Sequence, residues 1–273
     1  MGDDLGDEWW IDKEKTSPNS SSNEGDEPVP EKASNVKAGK VALPKRKAET
    51  DPSDKKGTKR KRRTRQKISQ YLTKSKSLPA TGSEVITKLD QHFKKKLSPI
   101  ELEDLQIDES FFLCSNASAL PLSSYLEEAV PNWNRDIEAK RPREPKTCLL
   151  LVVSASAKRA VDLNREAAAF KGQKCSSAKL FAKHMKIADQ ANFLAKKQTH
   201  FAVGTPNRLI ALLQQDALNL TGTRYLILDW NWRDVKYKRI CDIPELKADL
   251  FGLLEKFIIP EAKKSGRLKI GLF

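Results

Sequence analysis

Metal-binding and disulfide-forming residues are scarce in this chain. Its four cysteines, Cys114, Cys148, Cys175 and Cys241, stand 34, 27 and 66 residues apart with no Cys-x-x-Cys, and His92, His184 and His200 form no His-x-x-x-His pair. Zinc ligands need close spacing on one loop or helix face, so no structural metal is expected, and these side chains read as ordinary core or surface residues. Scattered thiols without a signal peptide suit an intracellular protein. No apolar run approaches the roughly 18 residues of a membrane span, so no membrane partner is expected. A phosphate cradle is missing too. Gly-x-x-x-x-Gly-Lys-Ser/Thr holds phosphates with glycine amides, a lysine and a metal-binding hydroxyl. The only Gly-Lys pair, Gly39-Lys40, is followed by Val41 and has Ser34 where the first glycine belongs. Neither a cofactor nor a small-molecule substrate is expected.

What charge the chain has is laid out in blocks. Of the formal +14, residues 1–35 carry ten acids and three lysines, residues 45–76 fourteen bases and three acids, and residues 77–273 thirty-one bases and twenty-three acids. Residues 1–82 hold too little apolar surface to offset chain entropy, so a disordered tail, acidic and then basic, is expected there. Within it "KRKAETDPSDKKGTKRKRRTRQK" (45–67) has the two-cluster pattern of a nuclear import signal, and the same charges, above all Lys59, Arg60, Lys61, Arg62 and Arg63, would attract RNA phosphates. "MGDDLGDEWW" sets Trp9 and Trp10 among acids. Two adjacent indoles are costly to leave in water, so they either dock on a partner or pack back on the folded part.

From residue 83 the text becomes foldable. Ser83 can cap a helix with Val85, Ile86, Leu89 and Phe93 on one face and lysines in its last turn, and "LSSYLEEAVPNW" gives a second between Pro121 and Pro131. These belong to a helical extension, 83–146, ending in the basic connector "KRPREP". After it come apolar strands alternating with helices: "TCLLLVV", "KRAVDLNREAAAFK", "KCSSAKLF", "KIADQANFLAKK", "THFAVGT", "PNRLIALLQQ", "TRYLILD", "IPELKADLFGLLEKFI" and "RLKIGLF". That order specifies right-handed crossovers and, over 147–273, a single doubly wound parallel α/β sheet with flanking helices.

Ligands of such sheets bind beyond the carboxyl ends of the strands. The residues found there are "SASAKRA", "GTPNR" and "DWNWRD". Their order and spacing resemble the first RecA-like domain of DEAD-box RNA helicases, whose signatures at these places are Pro-Thr-Arg-Glu-Leu-Ala, Thr-Pro-Gly-Arg and Asp-Glu-Ala-Asp. Asp229 keeps the first acid of the last signature, but the carboxylate that orients the attacking water is Trp230 here, and an indole neither takes a proton nor binds metal. No second domain of this kind is found in the sequence. The resemblance therefore implies a RecA-like fold kept without its hydrolytic chemistry. On the RNA-facing side, Gly204, Thr205 and Pro206 start a helix whose free amides suit an anion, Asn207 replaces the family's glycine, and Arg208 would add a guanidinium. Ser156, Lys158 and Arg159 are further phosphate contacts, although Ala157 and Lys158 stand where the family has arginine and glutamate. Thr205 and Pro206 equally suit a plain helix cap. For Trp230 and Trp232 the expectation is that one packs into the vacant cleft and the other presents aromatic surface to a partner; Asp229 should receive hydrogen bonds.

"GDDLGDEWW", "KLFAKHMK", "AVGTPNR", "LDWNWRD", "DIPEL" and "LKIGLF" together resemble the Cms-type family of helicase-like small-subunit pre-ribosomal factors, over the extreme N-terminus and about residues 95–273. This resemblance implies a nuclear and nucleolar protein that is not an enzyme and whose partners are pre-ribosomal RNA and small-subunit assembly proteins. An NTPase completed in trans, or a protein-only adaptor that regulates a true RNA helicase, are the alternative readings.

Overall fold

The computed structural model describes residues 79–138, 145–183 and 185–273. The expectations for the charged tail, for Trp9, Trp10 and Lys59 to Arg63, and for most of the 140–145 connector fall outside them. Four short helices come first: α1 (Gly82–Phe93), α2 (Pro99–Asp104), α3 (Leu122–Ala129) and α4 (Trp133–Glu138). There follow β1 (Cys148–Val153), α5 (Ala157–Glu166), the single turn α6 (Ala168–Lys171), β2 (Ser177–Leu180), α7 (Ile187–Lys196), β3 (Thr199–Gly204) and α8 (Pro206–Gln214). Last come β4 (Tyr225–Leu228), α9 (Pro244–Leu253), α10 (Ile259–Ser265) and β5 (Lys269–Leu272).

The five strands are all parallel, in the order β2-β3-β1-β4-β5, so the expected doubly wound sheet is there. Alternation within the apolar runs divides each strand between two cores. Leu150, Val152, Phe201, Val203 and Ile227 face the core built with α3, α4, α5 and α6. Leu151, Val153, Ala202, Leu226 and Leu228 face the core built with α1, α7, α8, α9 and α10. The β1-to-β2 connection runs across the sheet opposite to the later ones, and right-handed crossovers put its helices on the other face.

Three expectations change. The helices of 83–146 are not a separate extension, because Val85, Leu89, Leu122 and Leu126 are buried in the same cores as the strands; periodicity identifies an apolar face but not what covers it. Phe112 even makes a parallel bridge to Ile270, with Leu113 N donating to the Ile270 carbonyl at 2.8 Å, which covers the outer edge of β5. Finally, α1 is capped by Thr81, whose extended backbone and hydroxyl meet Glu84 N, rather than by Ser83. The helix stops at Phe93 with Lys94 as its C-cap, so the lysines 94–96 lie beyond the last turn.

Gly204, expected at an RNA contact, is required by the sheet itself. A Cβ there would lie 2.5 Å from the Leu180 carbonyl oxygen and 3.0 Å from Leu209 Cδ2. Gly252, inside α9, has nothing within 4 Å of its added Cβ. Gly204→Ala should therefore cost about 2 kcal/mol by overpacking, whereas Gly252→Ala should stabilise by about 0.5–1 kcal/mol through helix propensity. Urea denaturation of the two variants checks the opposite signs.

Candidate functional site

The chain leaves β1 toward β2 and leaves β4 toward β5, so the crevice of this sheet lies between the carboxyl ends of β1 and β4. A cleft of about 320 Å³ opens at that place, lined among others by Pro79, Asn116, Leu120, Arg159, Asn231, Trp232 and Phe273, with Asp229 in its wall. Asp229 N donates to the Val153 carbonyl at 3.0 Å, extending the β4 ladder one residue and setting the carboxylate over the end of β1. Across from it Ser156 caps α5, accepting from Arg159 N at 3.2 Å, which fixes Arg159 in the first turn.

The two side chains form a bidentate pair. Arg159 Nε donates to Asp229 Oδ2 at 3.0 Å and Nη2 to Oδ1 at 3.1 Å, while Nη1 donates to Glu166 Oε1 at 2.9 Å. The guanidinium carbon lies 5.9 Å from the ring centroids of both Trp232 and Phe273. Phe273 is fastened by donating to the Leu228 carbonyl and accepting from Asn231 N, and it stacks on Tyr125. Burial pushes the Asp229 carboxyl up to about 6 against the pull of Arg159. Burial also works against the Arg159 charge, but the Asp229 hydrogen bonds and charge, with Glu166, more than offset it and hold this guanidinium above its ordinary value. Asp229 is 0% exposed. Its carboxylate is thus withdrawn from solvent, and each of its oxygens accepts from Arg159. Among the described residues no cluster of three or more His, Cys, Asp or Glu could hold a metal, and no helix is long and apolar enough to cross a membrane.

Several candidate residues prove to have other duties. Arg159 directs three donors at carboxylates, which corrects its reading as a phosphate contact. Arg208 is corrected likewise: it is 7% exposed, with Nη1 donating to Gln190 Oε1 at 3.2 Å and Nη2 to the Met185 carbonyl at 3.0 Å. Gln190 donates in turn to the carbonyls of Lys179 and Phe181, so Arg208 ties down the loop between β2 and α7. Burial lowers its basicity. Ser156 is occupied as a cap. Thr205 holds the cap position of α8 without a side-chain hydrogen bond, its N–H donating to the Leu180 carbonyl, and Pro206 is buried at the first helical position. Trp230 is 0% exposed and its indole N–H meets no acceptor among the described residues, so it is not partner surface. Trp232, half-buried, lines the cleft.

Of the expected RNA contacts among the described residues, Lys158 and Asn207 stay exposed, at the ends of β1 and β3. Seven cleft residues escaped the sequence reading, among them Phe273, Asn231, Pro79 and Asn116. Phe273 and Asn231 follow strands and could have been found by the strand-end rule. Pro79 and Asn116 could not, because Asn116 acts by closing its own loop, donating to the Leu120 carbonyl and accepting from Leu120 N.

The sequence profile of the family described as CMS1, U3-containing 90S pre-ribosomal complex subunit, matches residues 30–273. Among curated proteins, Protein CMSS1 of Xenopus laevis is 41% identical and that of Homo sapiens 38% identical, each over the full length of both chains. Protein CMS1 of Chaetomium thermophilum is 36% identical over 61% of this chain and 67% of its own. A solved DEAD box protein from Methanococcus jannaschii aligns with a TM-score of 0.35 and 18% identity over 55% of this chain and 35% of that one.

Removing one member of the buried pair should cost more than removing both. Arg159→Met leaves a buried carboxylate without its partner and should lower stability by about 3 kcal/mol. The loss should be smaller at pH 5 than at pH 8. Without the guanidinium the Asp229 carboxyl rises further above its position of about 6, so at pH 5 it is neutral in the fold, and the penalty grows as pH rises through its folded value. Arg159→Met with Asp229→Asn should recover part of the loss. Denaturant titrations of both variants at the two pH values measure this, and equal losses at both would contradict it.

Proposed function

The chain belongs to the CMS1 family of U3-containing 90S pre-ribosomal complex subunits, and from that membership we propose that it serves small-subunit ribosome biogenesis as a noncatalytic, helicase-like factor that binds pre-ribosomal RNA and assembly proteins in the nucleus and nucleolus. The observation that carries the noncatalytic part is the closed pair at the β4 tip. A hydrolase of this sheet type needs an accessible strand-end carboxylate for metal and water, whereas Asp229 is fully buried against Arg159 and is followed by buried Trp230. The same pairing disfavours an NTPase completed in trans, since an incoming group would compete with Arg159 for a carboxylate already bonded at both oxygens.

For RNA, the support is the exposed rim beside the cleft. Lys158 in the first turn of α5 and Asn207 in the first turn of α8 stand at neighbouring strand ends with their side chains in solvent. Phosphate contacts there fix register, and the basic run at 45–67 adds sequence-independent attraction. Trp232 at the cleft mouth is the aromatic surface that remains for an assembly partner.

The test uses the full chain with Lys59, Arg60, Lys61, Arg62 and Arg63 changed to glutamine, so that the tail does not mask the rim. In that background Lys158→Glu should weaken binding of a single-stranded pre-rRNA fragment about tenfold and reduce the salt slope by about one. Unaltered affinity would remove the RNA reading. The unmodified protein should not turn over ATP with Mg²⁺, and turnover abolished by Asp229→Ala would overturn the noncatalytic one.

A further inference from the structure

Immediately after the cleft the chain makes a rigid protrusion. Asp234 accepts from Lys236 N and Lys238 N, each at 2.8 Å, donates its own N–H to the Lys238 carbonyl at 2.9 Å, and receives Tyr237 N on its carbonyl at 2.9 Å. Arg233 Nη1 braces the Tyr237 carbonyl at 3.2 Å. Within this frame Tyr237 is held at φ 59°, a conformation an aromatic residue adopts only when its surroundings impose it. The tip then presents Val235, 94% exposed, and Tyr237, 40% exposed, with exposed Lys236 and Lys238 beside them. Among the described residues the exposed large hydrophobics are these two and Ile100. A turn held by so many bonds that nevertheless shows a β-branched side chain to water is shaped to be covered.

We propose that the cover is the chain's own N-terminal segment, residues 3–12, docking on the loop 233–238. That stretch, "DDLGDEWWID", holds Asp3, Asp4, Asp7, Glu8 and Asp12 with Leu5, Trp9, Trp10 and Ile11, and not one base. It is the chemical complement of the loop: indoles for Val235 and Tyr237, carboxylates for Lys236 and Lys238. RNA complements the loop less well, since phosphate gains nothing from Val235 and is repelled by Asp234. Connectivity points the same way. The tail joins the domain at Ala80, whose N–H donates to Asn231 Oδ1 at 2.9 Å, two residues before the loop begins. Sixty-seven residues, 13–79, separate the segment from that root, and even a random chain of that length averages about 45 Å end to end. Docking is then intramolecular, at an effective concentration on the order of millimolar. The inference does not rest on the RNA reading above.

A photo-crosslinking phenylalanine in place of Val235 in the full chain reads the contact directly. The expected product joins position 235 to a peptide within residues 1–13 at monomer mass. A product at dimer mass, a crosslink to another segment or to added single-stranded RNA instead, or no product would each overturn the proposal. Charge reversal gives the control against misfolding. Lys236→Glu with Lys238→Glu should abolish the crosslink and speed amide exchange at 233–238 about fivefold, leaving exchange in β1 and β4 unchanged. Adding Asp7→Lys and Glu8→Lys to that variant should restore the crosslink; failure to restore it would count against the pairing.

Discussion

A carboxylate removed from water at the end of a buried strand must be given a partner, and much of this molecule is arranged around that requirement. Moving an isolated ion into the interior costs far more than one neighbour usually returns, so Asp229 receives two hydrogen bonds from Arg159, which is itself steadied by Glu166 and flanked by the rings of Trp232 and Phe273. The two bonds to Asp229 also join elements 70 residues apart in sequence. The pair locks the first turn of α5 to the tip of β4, and Phe273 carries the same lock to β5 and, through Tyr125, to α3. The crevice of the sheet has thereby become a structural joint.

The exposed polar groups of this end of the sheet lie around the joint and not in it. With the interior donors committed to internal acceptors, the side chains left in solvent there are Lys158, one residue before Arg159, Asn207, just past β3, and the tip of the loop that begins past Trp232. The backbone that carries them is already fixed by a first helical turn or by the bonds of the braced loop, whereas their exposed side chains keep their rotamer freedom.

Much of the fold was legible because apolar runs such as "CLLLVV" and "YLIL" are too short for helices and too continuous for half-exposed strands. Burial on both faces follows directly, and the sheet with it. The strand-end rule likewise located the cleft. What it could not tell was where a long side chain points. Arg159 and Arg208 both sit in first helical turns at strand ends, the place for phosphate contacts, yet each finds an internal acceptor, Asp229 in one case and the Met185 carbonyl in the other. Those acceptors come from segments 70 and 23 residues away, and local pattern carries no trace of them. The opposite failure occurred at 83–146, where helices were visible and their shared core was not. The split between Trp230 and Trp232 follows from geometry too, since neighbours two apart diverge once the strand ends and only one stays in the wall.

Trp230 also bears on whether the lost carboxylate could be recovered by a single change. Its indole is wholly buried and leaves its N–H without a described acceptor, a defect worth about 1–3 kcal/mol that is outweighed by the large apolar surface removed from water. Glutamate at that position would exchange a filled volume for a cavity and set an acid without a described partner in the core. Restoring a phosphate cradle would require more still: among the described residues the elements before β1 are helices, with no strand to present glycine amides to the crevice.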